Sequence, residues 1–199
     1  MAKFCLDPGH GGSDPGAAKG SRKEKDDVLR LALKIKPILE RQGHKVLLTR
    51  STDKDITVAQ RCALANREKC DYFLSLHRNS AAASAKGVEI WVYSQAYAKT
   101  VEQAKYILDQ CVKVGGTSRG VKKGAVSYTD YGVNTQTDMP SALLEMLFIS
   151  NPSDNKLFDE KLDKYAEGIA KGLVEAMGEK WQEMREETNG GKPKAGLYH

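Results

Sequence analysis

The apolar positions of this chain change period several times along its length. Lys3 to Leu6 is a short apolar run of strand length. Val28, Leu31, Ala32, Ile35, Ile38 and Leu39 then recur at three- and four-residue spacing, the stripe of an amphipathic helix. Pro37 lies inside that stripe and is expected to kink the helix or end it before Gly43. The pattern continues with a strand near Lys45 to Thr49, a helix near Val58 to Lys69, a strand ending at His77 and a strand from Val88 to Tyr93. A helix from Ala96 to Val114, a strand around Val126, a strand containing Glu145 and a last helix from about Leu162 follow. In that last helix Leu162, Tyr165, Ala166, Ile169, Leu173, Ala176 and Met177 keep core spacing, and Trp181 and Met184 extend the stripe. Such alternation predicts an α/β fold: a single-domain, three-layer unit with a twisted, mostly parallel sheet of about six strands and helices on both faces. From Asn189 the composition is that of a linker, so the domain is expected at 1–188 and a flexible tail or the start of a linker at 189–199.

Chemistry enters with Asp7-Pro-Gly-His10-Gly-Gly-Ser-Asp-Pro-Gly-Ala17, which directly follows the first strand. Its glycines and prolines forbid helix and turn the backbone sharply around His10, which presents the imidazole at a strand end. Glycine-rich turns in that position also bind phosphates, but the chain has neither Gly-x-Gly-x-x-Gly nor a loop closed by Gly-Lys-Ser/Thr. Ser21 and Glu24 open the first helix at the spacing of a capping box, while a carboxylate at that helix end equally suits a metal ion. Tyr72 to Asn79 is an apolar strand ending in His77, so two of the four histidines occupy matching strand ends. His44 reads as a solvated turn residue and His199 as the end of the tail.

Glu145 stands alone in the apolar run Ser141 to Ile149. A buried, unpaired carboxylate is costly, so such a group shifts its pKa, finds a cation, or serves a metal or a reaction; the alternative is the exposed face of an edge strand. Two histidines and a glutamate around zinc, with a further glutamate to handle protons, make a hydrolytic metal site with an open position for water.

These residues resemble the zinc-dependent N-acetylmuramoyl-L-alanine amidases of the type 3 amidase family, which cut bacterial peptidoglycan. The resemblance covers nearly the whole domain: the His10 loop, Glu24 to Asp26, Gly43 to Arg50, Asp53, Arg61, Asn66, Asp71, Ser75 to His77 with Asn79, Gly87 to Glu89, Arg119 to Val121, Met139-Pro140, Leu144-Glu145, Phe148 to Asn151 and Asp154. It implies that His10, Glu24 and His77 bind one zinc ion. It also implies that Glu145 is the general base hydrolysing the amide between the lactyl group of N-acetylmuramic acid and the L-alanine of the stem peptide. Arg78 departs from the family's usual small residue, and Met146-Leu147 stand where a small residue and a glycine are common. Substrate contacts are expected from Asn79, from Arg78 if it meets an acidic stem-peptide group rather than solvent, and from Glu89, whose simpler reading is the outward face of an alternating strand. Arg119, Lys122 and Lys123 read as a solvated basic turn.

Composition suits one enzyme domain: 199 residues at 40% hydrophobic content bury a sizeable core. A net charge of +5 favours approach to an anionic cell wall, an effect that weakens as salt rises. No basic stripe interleaved with aromatics points to nucleic acid, and no segment has the length for membrane insertion. Cys5, Cys62, Cys70 and Cys111 lack zinc-ligand spacing and read as reduced core thiols. Met1 leads into the first strand without a secretory apolar segment, which suggests a phage or prophage endolysin made in the cytoplasm and acting at the wall. The alternative is a domain excised from a secreted autolysin, with a wall-binding module missing at the C-terminus. Two rival functions are a zinc carboxypeptidase acting on the stem peptide and a non-catalytic wall-binding module.

Overall fold

The computed structural model describes residues 1–125 and 130–183. In chain order its elements are β1 (Lys3–Pro8), the two-residue strands β2 (Ala18–Lys19) and β3 (Arg22–Lys23), α1 (Glu24–Arg41), β4 (Lys45–Leu48), α2 (Val58–Arg67) and β5 (Tyr72–Asn79). Then come β6 (Val88–Val92), α3 (Ala98–Val114), β7 (Ser118–Lys123), α4 (Gly132–Thr135), β8 (Ser141–Phe148) and α5 (Pro152–Ala176). Six strands form one sheet in the order β4-β1-β5-β8-β6-β7. The first four are mutually parallel, β6 is antiparallel to β8, and β7 runs parallel to β6.

Strand residues alternate between two apolar layers, as the pleat requires. Leu6, Leu74, Ile90 and Leu144 join the larger core with the inner faces of α1, α3 and α5. Cys5, Phe73, Trp91 and Leu143 face the smaller layer, where Cys62 and Ala65 of α2 and Val133 of α4 pack. Because α2 and α4 are short, this second face is only partly covered. All four cysteines are free and buried.

Several elements differ from the sequence expectation. Pro37 does not break α1: it lies on the exposed side, and the Leu33 carbonyl that loses its amide partner belongs to an exposed residue open to water. The last helix begins ten residues early, because Asn151 caps it by accepting from the Ser153 and Asp154 amides and Pro152 fits the first turn. The strand expected around Val126 is β7, which ends at Lys123; Val126 itself lies outside the described residues, as do Met184 and the tail from Asn189. Trp181 does pack against the main core. Leu147 occupies the left-handed region at φ 63, beside a register shift between His77 and Asn79 in the β5–β8 ladder. That conformation is the one a glycine adopts without strain.

Two polar residues are buried rather than solvated. Arg78 is 2% exposed and points into the α1/α5 side, pairing with Asp27, donating to Asn155 Oδ1 at 2.7 Å and lying 4.2 Å above the Phe158 ring. It packs helices against the sheet and does not reach a groove. His44 packs edge-on against Phe4 at 5.2 Å, and its Nδ1 accepts from the Ala2 amide at 3.1 Å. Burial holds the His44 imidazole below its usual pKa, with Glu179 pulling against that shift. The unfolded chain therefore takes up this proton before the folded one, and stability falls as pH drops through about 6.5. His44→Asn keeps an acceptor for Ala2 but no longer titrates, so its loss of urea stability between about pH 7.5 and 5.5 should be smaller than that of the wild type. Equal losses would mean that His44 is not a buried neutral acceptor.

Candidate active site

The carboxyl ends of β1 and β5 and the start of α1 converge on the sparsely covered face. His10 follows β1 in a left-handed conformation at φ 58, an uncommon one for a residue with a side chain. Two buried arginines hold that turn by its carbonyls. Arg50 donates to the Pro8, Gly9 and Lys25 oxygens, and Arg61 donates to the Pro8 and His10 oxygens and to the Asp7 carboxylate at 2.7 Å. Asp7 also accepts from Thr49 and Ser75, so its buried carboxylate is satisfied on both oxygens.

Glu24 is the first residue of α1, but no capping box forms: Lys23 is the N-cap without a side-chain cap. The Glu24 carboxylate turns inward instead. Its Oε1 lies 3.2 Å from His10 Nε2 and 3.0 Å from His77 Nδ1, and accepts from the Arg78 amide at 2.8 Å. Its Oε2 accepts from the Ala17 amide at 2.8 Å. The two imidazole rings stand edge to face, 4.8 Å apart. Ligand atoms of His10, Glu24 and His77 all lie within 4.8 Å of one another, the single such grouping of three among the described residues.

Burial alone would raise the Glu24 carboxyl, but the two imidazoles hold it well below the usual carboxylate range. Burial would lower His10, but Glu24 and then Asp14 outweigh it and hold the imidazole up at about 9. Asp14 is a participant the sequence reading missed. It meets His10 Nδ1 at 2.7 Å, which favours a proton on Nδ1 and turns Nε2 towards Glu24. Its place four residues after His10 in the same loop was the available signal.

Glu145 pairs in register with His77 on β8 and shares the sheet face of Leu143, two residues before it. The expectation of burial holds for the part that matters: Oε2 is out of solvent with no hydrogen-bond partner among the described residues. Burial, then the neighbouring carboxylates Glu24 and Glu89, push its pKa up to about 7 against the pull of His77.

Glu89 is not on an outward face. It is 2% exposed and is the ladder partner of Glu145. Asn79 Nδ2 and Trp91 Nε1 donate to its Oε1 at 3.0 and 3.1 Å, and Arg119 Nε and Lys122 Nζ donate to its Oε2 at 2.6 and 2.8 Å. Asn79 thus lies at the site as a holder of Glu89, while Arg119 and Lys122, expected to be a solvated turn, are ion-paired beside it. Among the described residues no helix is long and apolar enough to cross a membrane.

The family model described as N-acetylmuramoyl-L-alanine amidase (Amidase_3) matches residues 4–175. The endolysin of Bacillus phage SPP1 is 37% identical over 200 residues, covering 98% of this chain and 71% of the phage protein. The germination-specific N-acetylmuramoyl-L-alanine amidase of Bacillus subtilis is 33% identical over 88% of this chain and 79% of its own length. Among solved structures, the catalytic domain of the amidase CwlV from Bacillus (Paenibacillus) polymyxa superposes with a TM-score of 0.82 at 32% identity, covering 90% of this chain and 100% of that one. An N-acetylmuramoyl-L-alanine amidase from Clostridium difficile 630 gives 0.83 at 31% identity, covering 90% of this chain and 98% of that one.

The crowding of the centre is testable through Gly16. Its φ is +64, and a Cβ there would stand 2.6 Å from His10 Cδ2 and 2.7 Å from Glu24 Oε2. Gly16→Ala should lower unfolding stability by about 1–3 kcal/mol, read from urea denaturation, through strain and displaced side chains. An unchanged midpoint would mean that the centre has slack.

Proposed function

The chain belongs to the Amidase_3 family of N-acetylmuramoyl-L-alanine amidases, and from that premise we propose that His10, Glu24 and His77 hold a zinc ion and that Glu145 carries the proton. The enzyme is a peptidoglycan hydrolase acting on the bond between N-acetylmuramic acid and L-alanine. The observation that carries the assignment of residues is the convergence of two imidazoles on one carboxylate oxygen. Nitrogen and oxygen ligands at about 2.0–2.2 Å around tetrahedral zinc sit roughly 3.3 Å apart, and the two imidazole contacts of Glu24 Oε1 measure 3.2 and 3.0 Å. Three protein ligands of this type leave a fourth position open, as catalytic rather than structural zinc sites do. Zinc held there supplies Lewis acidity, lowering the pKa of a water towards about 7 and drawing charge from the scissile carbonyl oxygen.

The protein's own groups do the rest. Asp14 fixes the His10 tautomer, and the Ala17 and Arg78 amides hold the Glu24 carboxylate in one orientation. Glu145, raised to about 7, is poised to accept and return a proton near neutrality. It takes the proton of the attacking water as the new C–O bond forms, then gives it to the amine as the C–N bond breaks. The peptide leaves with a free L-alanine amine, and the lactyl group is left with its carboxylate. A lytic role at the bacterial cell wall is supported by the phage endolysin relative.

Glu145→Gln should lower turnover by about 100- to 10,000-fold while the purified protein keeps its zinc. His77→Ala should lose the metal as well as the activity. The measurements are release of free L-alanine amines from purified peptidoglycan, by mass spectrometry, and bound zinc, by elemental analysis. Chelation should abolish release and zinc should restore it; full activity of Glu145→Gln, or release indifferent to chelation, would overturn the assignment.

A further inference from the structure

Glu89 is one buried carboxylate with two cations on the same oxygen. Arg119 Nε and Lys122 Nζ approach Oε2 at 2.6 and 2.8 Å, while Oε1 is filled by neutral donors from Asn79 and Trp91. A structural ion pair needs one cation, so this cluster carries one positive charge in excess. Among the described residues both cations make their ion pairs with Glu89 and neither makes one with Glu145, so the excess is not spent on the neighbouring carboxylate.

Both cations are presented rather than enclosed. Their side chains are 37% and 32% exposed, against 3% for that of Glu89. Arg119 is oriented twice over, by Nε on Glu89 and by its guanidinium stacked 4.9 Å from the Phe148 ring; Lys122 lies 5.0 Å over the Trp91 ring. Among the described residues the two terminal nitrogens of Arg119 form no hydrogen bond, and that edge of a guanidinium is the one that takes a carboxylate by two parallel bonds. The location is equally specific. Glu89 is the ladder partner of Glu145, and facing residues of an antiparallel pair lie about 4.5–5.5 Å apart.

We propose that Arg119, with Lys122 beside it, is the subsite that receives a free carboxylate on the peptide side of the scissile amide. The peptide side follows from chemistry, because the lactyl carboxyl on the glycan side is consumed in the bond being cut. An extended peptide advances about 3.3–3.6 Å per residue, a step comparable to the spacing of neighbouring strands, so the carboxylate belongs to the residue after the L-alanine. Glu89 and Asn79 act through Arg119 as positioning residues. The inference rests on the assignment of the neighbouring centre to amide hydrolysis.

The test uses two soluble muramyl peptides that differ only in carrying a carboxylate or a carboxamide on the residue after L-alanine. The reading is the ratio of kcat/KM for the carboxylate over the carboxamide substrate. Wild-type protein should prefer the carboxylate about 10- to 100-fold, the scale of one charge-assisted bidentate contact. In Arg119→Gln the ratio should fall to near one, chiefly through KM, and Arg119→Lys, which keeps the charge without the fork, should lie between. A wild type without preference, or a ratio unchanged in Arg119→Gln, overturns the subsite. So does an equal fall on both substrates, which marks Arg119 as structural. Glu145→Gln separates the two readings: it should abolish hydrolysis of both substrates, and if it does not, the assignment of the centre fails whatever the ratio shows.

Discussion

A carboxylate removed from water has to be compensated on all sides, and in this protein that carboxylate is Glu24. Two backbone amides and two imidazoles surround it, from Ala17 and His10 of the loop after β1 and from Arg78 and His77 of β5. That loop, β5 and the start of α1 must therefore meet within hydrogen-bond distance of one side chain. The left-handed turn at His10, the tight fit at Gly16 and the two arginines under the loop are all consequences of that meeting. Buried charged networks of this kind add little net stability, but breaking one partner leaves the others unpaired, so they specify a single arrangement.

The neighbouring residues His77 and Arg78 show how the sheet serves the centre from both faces. Successive strand residues point to opposite sides. His77 turns to the open face and Arg78 to the helical face, where it pairs with Asp27 of α1 and stacks on Phe158 of α5. Asp27 lies one helical turn beyond Glu24. The same arginine thus grips α1 by its guanidinium and Glu24 by its backbone amide, which sets both the helix and the carboxylate at its tip. A small residue at this position would leave Asp27 to Arg22 and the more distant Arg30.

Much of this was legible in sequence because it rested on periodicity and on residue chemistry. The stripe of α1, the strand ending in His77 and the lone carboxylate of Glu145 each carry a local signal, and the architecture follows from their alternation. What was misread depended on tertiary partners. Arg78, Glu89 and His44 are polar residues whose burial is possible only because Asp27, Arg119 with Lys122, and the Ala2 amide wait for them. No window of sequence contains those pairs. Pro37 was over-weighted for a related reason: its cost depends on whether the freed carbonyl meets water, and the exposed side of α1 supplies it.

Register then converts the architecture into a chemical sequence across the sheet. His77, Glu145 and Glu89 are consecutive ladder partners on β5, β8 and β6, and Arg119 on β7 closes on Glu89 at the irregularity between Val88 and Ile90. Strands lie about 4.7–4.9 Å apart, so each step along this row moves one function sideways by nearly the length of a peptide unit and a half. The direction of β6 is immaterial to that spacing; only its pairing matters, which is why an antiparallel edge can extend a parallel sheet without disturbing the centre. A one-residue slip in either ladder would turn Glu145 or Glu89 to the opposite face, into the helical core. The buried apolar neighbours Leu144, Met146 and Ile90 oppose that slip, so the hydrophobic pattern of the strands is also what keeps the charged row in order.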